Sequence, residues 1–439
     1  MKHAFGGHKT TMSNCENMKS LLSGTAFQER LLELYGEESR LPAQTKRYGA
    51  ALDAFAERFG EDREIALFSA PGRTEICGNH TDHQNGKVLA ASLNLDVIAV
   101  VEKTEDPVIV IRSAGFPEDR IDLSDLSRVP EETGTSAALI RGVAAYLSGH
   151  GHRIGGFRAT TTSEVLKGSG MSSSAAFEVL VGTILSGLYN DMSLDPVELA
   201  LASQYAENVY FGKPSGLMDQ MACAVGGLIR IDFKDPGAPV VSQIPYAFSE
   251  SGHALGIVDT RGSHADLTPD YAAVPEEMRK VARSLGKEVL RDVPEEDFYR
   301  ELPNLRKRCG DRAVLRALHF FQEEHRVDDM TRELKQGYFE AFLSLVRASG
   351  DSSYKYLQNV ISCHKLQEQG IPIGLATAEA VLQGTGACRV HGGGFAGTIQ
   401  AYVPNEKVDA FRVEMDRIFG EGSCYPLKIR PYGGVKVID

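Results

Sequence analysis

Apolar positions recur three and four residues apart over residues 26–35 and 44–59, which predicts two amphipathic helices. Residues 64–70 read as a strand that runs straight into a polar loop. Residues 88–103 form a long apolar run broken by Asn94 and Asp96, read as one bent strand or two, and 107–113 is a third β segment. Helical spacing returns over 135–147, 156–163 alternates like a strand, and a glycine loop leads into a helix over 172–189. Asp195-Pro196-Val197-Glu198 has the form of a helix start, with an Asp N-cap, Pro at the first helical position and a capping-box Glu. That helix is expected to run to about Tyr210. Strands are predicted over 227–233 and 253–259.

Residues 275–350 are charged and mostly helical, with clear helices over 312–325 and 329–348. The end alternates again: helix 375–383, strand 388–391, a glycine loop, strand 398–403, helix 405–419 and strand 426–430. Residues 1–25 show no clear period. Strands and helices mixed without strict βαβα alternation predict an α+β fold. Three regions are expected: an N-terminal extension over 1–40, partly loose; an N-terminal lobe over 41–233; and a C-terminal lobe over 234–439 that carries the helical elaboration.

The 439 residues are enough for two or three domains, and 42% apolar content supplies a sizeable core. Lys and Arg number 47 against 59 Asp and Glu, a net charge of -12. That balance argues against a nucleic-acid or anionic-membrane partner, both of which need basic surface. The seven Cys show no CxxC pairing, which reads as thiols in a reducing compartment. The stretch Met1 to Ser23 is polar without an apolar h-region, so no signal peptide is expected. No run reaches the roughly 18 apolar residues of a membrane span. A cytoplasmic protein is predicted, monomeric or a weak homodimer.

Four constellations carry chemistry. The first, PGRTEICGNHTDHQNG from Pro71 to Gly86, packs Arg73, Asn79, His80, Thr81 and Asp82 between apolar runs. Such a density of hydrogen-bonding groups suits a small polyhydroxylated ligand. The second is Gly168-Ser169-Gly170-Met171-Ser172-Ser173-Ser174. Its glycines let backbone approach a ligand, and its serines open a helix whose unpaired N–H groups and dipole favour anions. This is a phosphate cradle rather than the usual P-loop, whose G-x-x-x-x-G-K-[ST] pattern is absent. The apolar flanks Val165, Leu166, Ala175 and Ala176 argue against a flexible linker. The third is Glu207 with Asp219; Asp219 lies among Leu217, Met218 and Met221, and needs a partner if buried. Taken alone, it is more often a helix N-cap or ion-pair member than a base or metal ligand. The fourth is His391-Gly392-Gly393-Gly394-Phe395, whose glycines imply close backbone approach.

In this order the constellations resemble the galactokinase family, part of the superfamily of galactokinase, homoserine, mevalonate and phosphomevalonate kinases. The resemblance covers about residues 40–439 and rests on PGRTEICGNHTDHQNGKVL, LKGSGMSSSAAFEV and GACRVHGGGFAGTIQAYV, with AENVYFGKPSGLMDQ and DTRGSHADLTPDYA between them. It implies a two-lobed sugar kinase with its active site between the lobes. ATP phosphates would lie on Gly168, Ser169, Gly170, Met171, Ser172, Ser173 and Ser174, with Mg2+ on Ser174 and Glu207. Asp219 resembles the family's catalytic base, and Arg73 the Arg that keeps that base ionised and steadies transferred charge. Asn79, His80, Thr81, Asp82, Gly216 and Tyr271 would meet the sugar.

The chain also departs from the family. Galactokinases read G-E-H-T-D-Y-N where this chain reads Gly78-Asn79-His80-Thr81-Asp82-His83-Gln84. The missing Glu is expected to accept from the sugar's C6 hydroxyl. Losing its charge removes a repulsion of roughly 1–4 kcal/mol toward a carboxylate at C6. Galactose or a close neutral relative is the first substrate expectation and a galacturonate-type sugar the second. A non-catalytic sugar- and ATP-binding regulator stands as a rival of another class.

Overall fold

The computed structural model describes residues 14–165, 170–262 and 267–438. Gly168 and Ser169 of the glycine loop lie outside them, as do residues 1–13.

The strand Ile65–Cys77 is the spine of the larger sheet, and all thirteen of its residues are buried. Alternation sorts its two faces. Ile65 and Leu67, with Ile98 and Val100 of the next strand, pack against helices Cys15–Leu21, Thr25–Tyr35 and Leu41–Phe59. Ala66, Phe68 and Ala70, with Val97, Ala99 and Val101, face the opposite core, which holds helices Ser136–Gly149, Ser173–Tyr189, Pro196–Tyr205 and Met218–Val225. Helices therefore cover both faces. Within residues 1–25, expected to be partly loose, Cys15–Leu21 is a helix that buries Met18, and the helix predicted over 26–35 is Thr25–Tyr35, which buries Phe27 and Leu31.

The long apolar run is one strand, Lys87–Lys103, that changes partners midway. Residues 87–91 pair with Leu228–Asp232, and residues 97–103 pair with Phe157–Ser163. The full order is Val435–Ile438, Ile65–Cys77, Lys87–Lys103, Phe157–Ser163, Val108–Ser113, Glu118–Asp122, with Leu228–Asp232 and Val240–Gln243 branching from Lys87–Lys103. Val435–Ile438 returns the chain's end to this sheet, so the sheets do not divide the sequence at a single point.

The smaller sheet has the order Cys424–Leu427, His253–Asp259, Thr398–Pro404, Ala387–His391, all antiparallel. Helices Gly370–Leu382 and Val408–Phe419 cover one face through Ile371, Ala378, Phe411 and Met415. The charged segment forms helices Thr268–Ser284, Glu295–Cys309, Asp311–Gln336 and Phe339–Ser352. The first three share their own core around Met278, Phe298 and Phe320. The architecture is α+β in two lobes, as expected. No helix among the described residues is long and apolar enough to cross a membrane.

Candidate active site

The predicted strand at 64–70 continues through the polar signature to Cys77. It is bulged between Pro71 and Arg73 and again between Glu75 and Cys77. Bulges re-aim side chains, and Arg73 projects from this stretch toward Asp219, the second residue of helix Met218–Val225. The pair is bidentate: Nε donates to Oδ1 and Nη2 to Oδ2, each at 2.6 Å. Nη1 of the same guanidinium donates to the Gly170 carbonyl, and the Arg73 amide to the Met171 carbonyl at 3.2 Å. Ser172 Oγ donates to Asp219 Oδ2 at 2.6 Å. Burial works to raise the Asp219 carboxyl, but Arg73 and Ser172 outweigh it and hold the group below the usual carboxylate range. Its side chain keeps 30% exposure, open to a ligand.

Ser172 sits at the N-cap of Ser173–Tyr189 with φ 58°, a left-handed conformation that turns the loop onto the helix axis. Ser172 is thus both a loop residue and a partner of Asp219. Met171 contributes only backbone to this corner, since its side chain lies in the core. Ser173 opens the helix. Ser174 Oγ donates to Glu207 Oε1 at 3.2 Å, and Lys213 Nζ donates to the same oxygen at 2.9 Å. Glu207 lies on a π-helical turn, Ala206–Phe211, where a continuous α-helix was expected. Gln220 Nε2 donates to Glu207 Oε2 at 2.8 Å and to Glu178 Oε2 at 3.1 Å. Burial and the Glu207 charge push the Glu178 carboxyl well above its ordinary range.

Asp82 and Gly216 meet directly. A Cβ on Gly216 would lie 1.9 Å from Asp82 Oδ2, so only glycine admits the carboxylate there. Asp82 Oδ1 accepts from the His83 amide at 2.9 Å. His80, at φ 60°, bonds through Nε2 to the Gly393 carbonyl at 2.9 Å. Burial lowers its pKa to about 3, so it is neutral and donates to that carbonyl. Tyr271 donates its hydroxyl to the Gly394 carbonyl at 2.7 Å, and its ring fills the space a Cβ on Gly393 would need. The glycine loop at 392–394 thereby joins the signature to Tyr271.

Asn79 and Thr81 need revision as direct sugar contacts, because their polar atoms are spent inside the protein. Asn79 is 1% exposed. Its Nδ2 donates to Glu75 at 2.9 and 3.2 Å and to the Gly392 carbonyl at 2.7 Å. Its Oδ1 accepts from Asn359 Nδ2 at 2.6 Å, and its carbonyl meets His319 Nε2 at 2.9 Å. Thr81 Oγ1 donates to the Gly78 and Lys87 carbonyls at 2.8 and 2.6 Å, bracing the turn. The sequence reading missed Glu75, whose buried carboxyl is pushed up to about 6 by burial against the pull of Arg389 and Arg73. It also missed Glu323, which accepts from the Gly78 amide at 3.0 Å. Glu323 and His319, four residues apart on Asp311–Gln336, use the helical elaboration to hold the signature.

A guanidinium locked on a carboxylate beside a helix N-terminus, with a hydroxyl of that helix's first turn bonded to a second carboxylate, is equipment that suits a phosphotransferase. The sequence comparisons agree. Residues 138–227 match the model of the GHMP kinases N terminal domain, and residues 53–103 match the galactokinase galactose-binding signature. Galactokinase of Streptomyces coelicolor is 32% identical over 376 residues, 84% of this chain and 92% of that protein. Galactokinase of Glaesserella parasuis is 30% identical, covering 82% and 90%. The crystal structure of Lactococcus lactis galactokinase complexed with galactose superposes with a TM-score of 0.75 at 26% identity, over 89% of this chain and 99% of that one. A mevalonate kinase at 15% identity and TM-score 0.58 shares the fold. The protein is a kinase of this superfamily, and ATP is its phosphoryl donor. Within it, the chain belongs to the galactokinase family.

Proposed function

We propose that the chain transfers the γ-phosphoryl group of ATP to the C1 hydroxyl of galactose or a close neutral relative. The observation that carries this reading is the Arg73–Asp219–Ser172 cluster, set between the glycine loop and the Asp82–Gly216 contact. Asp219, kept ionised by Arg73, accepts the proton of the attacking hydroxyl or orients it. Its low proton affinity favours orientation first, with the proton leaving as the phosphoryl group transfers. Arg73 spreads positive charge over the same corner, where phosphoryl transfer needs electrostatic stabilisation. Asp82 accepts from sugar hydroxyls, while His80 and Tyr271 hold the glycine loop beside it.

Ser174 and Glu207 supply a hydroxyl and a carboxylate, the oxygen donors that Mg2+ takes. Lys213, 59% exposed, donates to the same Glu207 oxygen and would stand beside such an ion. An ion held there would neutralise phosphate charge. A second substrate reading has one observation behind it. With Asn79 uncharged and Glu75 paired to Arg389 at 3.5 Å, no free carboxylate from these two positions opposes a C6 carboxylate.

Two measurements test the proposal. Asp219→Asn is expected to abolish turnover while nucleotide binding persists; retained full activity would sink the assignment. A panel of galactose, galacturonate, N-acetylgalactosamine and glucose decides the sugar, and turnover of galacturonate alone would replace the first reading with the second.

A further inference from the structure

Next to Tyr271 in the chain, three side chains converge that the kinase reaction does not use. Asp270 is in the first turn of Thr268–Ser284, and Cys363 and His364 follow the helical segment that ends near Leu357. Asp270 Oδ1, Cys363 Sγ and His364 Nε2 all lie within 4.8 Å of one another, the one such group among the described residues. Sγ is 3.7 Å and Nε2 3.8 Å from Oδ1. A tetrahedral ion with a metal–sulfur bond of about 2.3 Å and metal–oxygen and metal–nitrogen bonds of about 2.0 Å sets such atoms about 3.3–3.5 Å apart. The two separations to Oδ1 exceed this by about 0.2–0.5 Å, and the third, Sγ to Nε2, lies within 4.8 Å. Cys363 and His364 are exposed and free to rotate by that much.

The surroundings are those of a ligand site rather than a chance meeting. Asp270 is buried, and Ser362 Oγ donates to its other oxygen, Oδ2, at 2.5 Å. A ligating carboxylate is commonly fixed by such an outer hydrogen bond. Asp270 and Cys363 also line a cavity of about 290 Å³ with Arg312, Arg316 and Phe395. Arg312 and Arg316 of this lining both pair with Glu277, at 2.5 and 3.0 Å.

We infer that Asp270, Cys363 and His364 form a three-ligand site for a soft divalent cation of the Zn2+ class, with a fourth position open to the cavity. A mixed sulfur, nitrogen and oxygen set selects Zn2+ or Co2+ over Mg2+, which wants oxygens alone. Binding forms a metal–thiolate bond and releases the Cys363 proton to solvent. The site adjoins the sugar corner: Tyr271 follows Asp270 directly, and its ring packs edge-on against Phe395 at 5.3 Å. Fixing residues 362–364 to this helix start restrains Tyr271 and the 392–394 loop and raises the KM for sugar. That kinetic effect rests on the sugar-kinase reading; the binding does not.

The test uses the full chain with saturating Mg2+, titrated with Co2+ and then Zn2+. One Co2+ per chain is expected, with a thiolate-to-cobalt absorption band that Zn2+ displaces. Cys363→Ser removes the band, His364→Ala weakens binding, and Ser362→Ala weakens it about tenfold or more. Cys363 and His364 are exposed, so neither variant threatens folding, and the remaining six cysteines are buried. Zn2+ should raise the KM for sugar severalfold in the parent, leave the KM for ATP unchanged, and do neither in Cys363→Ser. Equal affinity in the parent, Cys363→Ser and His364→Ala overturns the site. Loss of binding in those variants without any Zn2+ effect on the sugar KM overturns the coupling to Tyr271 alone.

Discussion

Substituting Asn79 by the family's Glu is the obvious way to test the signature, and the structure predicts that it fails alone. Nδ2 of Asn79 lies 2.9 and 3.2 Å from the two oxygens of Glu75 and 2.7 Å from the Gly392 carbonyl. Glu at 79 donates nothing to these acceptors and brings a second carboxylate to within about 3 Å of the first. Two charges at that distance repel by about 5 kcal/mol at an effective dielectric of 20. The cheaper escape is for one of them to take a proton. Glu75 is the natural candidate, since its pKa is already about 6. Neutralising it near pH 7.5 costs about 2 kcal/mol, and the lost amide bonds to Gly392 and Glu75 add about 1–3 kcal/mol. Asn79→Glu should therefore lose about 3–5 kcal/mol of stability near pH 7.5. About 2 kcal/mol of that deficit should return near pH 5.5, where Glu75 is largely protonated without the mutation. Urea denaturation at the two pH values measures both quantities, and Glu75→Gln/Asn79→Glu should recover a comparable amount at the higher pH. An Asn79→Glu protein as stable as the parent at both pH values would refute the reasoning.

Gly216→Ala places a methyl 1.9 Å from Asp82 Oδ2 and must push that carboxylate away; the sugar KM should rise about tenfold or more with ATP binding unchanged, and an unchanged sugar KM would remove Asp82 from the sugar site. Glu75 carries a raised pKa, so the native state binds more protons than the unfolded chain between its ordinary 4.5 and about 6. Its ionisation therefore costs stability as pH rises through that window, about 2 kcal/mol in total above it. Glu75→Gln should remove that fall, and parallel stability–pH curves for parent and variant would show that Glu75 titrates normally.

Much of this was legible because the chemistry is local in sequence. The glycine loop, the Arg73 signature and the Asp219 segment each announce themselves within a dozen residues. What was illegible depends on distant partners. Asn79 reads as a sugar ligand because it sits within the signature; its partners His319, Asn359 and Gly392 lie 240, 280 and 313 residues away. The strand expected to stop at Ala70 runs to Cys77 because pairing with Lys87–Lys103 overrides the break that Pro71-Gly72 signals. The edge strands Glu118–Asp122, Val240–Gln243 and Val435–Ile438 are short and partly exposed, leaving little periodicity to read. The π-helical turn at Ala206–Phe211 adds a residue to one turn of an otherwise ordinary helical pattern, which no spacing rule detects.

The site's carboxyl groups are better understood together than singly. Burial works to raise both Asp219 and Glu178, yet they move in opposite directions. Asp219 has a guanidinium on both oxygens and is held low; Glu178 has one amide and a neighbouring carboxylate, and is held high. Gln220 bonds to both Glu178 and Glu207, tying the raised Glu178 carboxyl to the one that faces Ser174 and Lys213. Partners, rather than residue type, set the direction in which each carboxyl is pushed. By the same rule, Glu75, 3.5 Å from Arg389 and bonded to Asn79 Nδ2, shapes the signature loop from within.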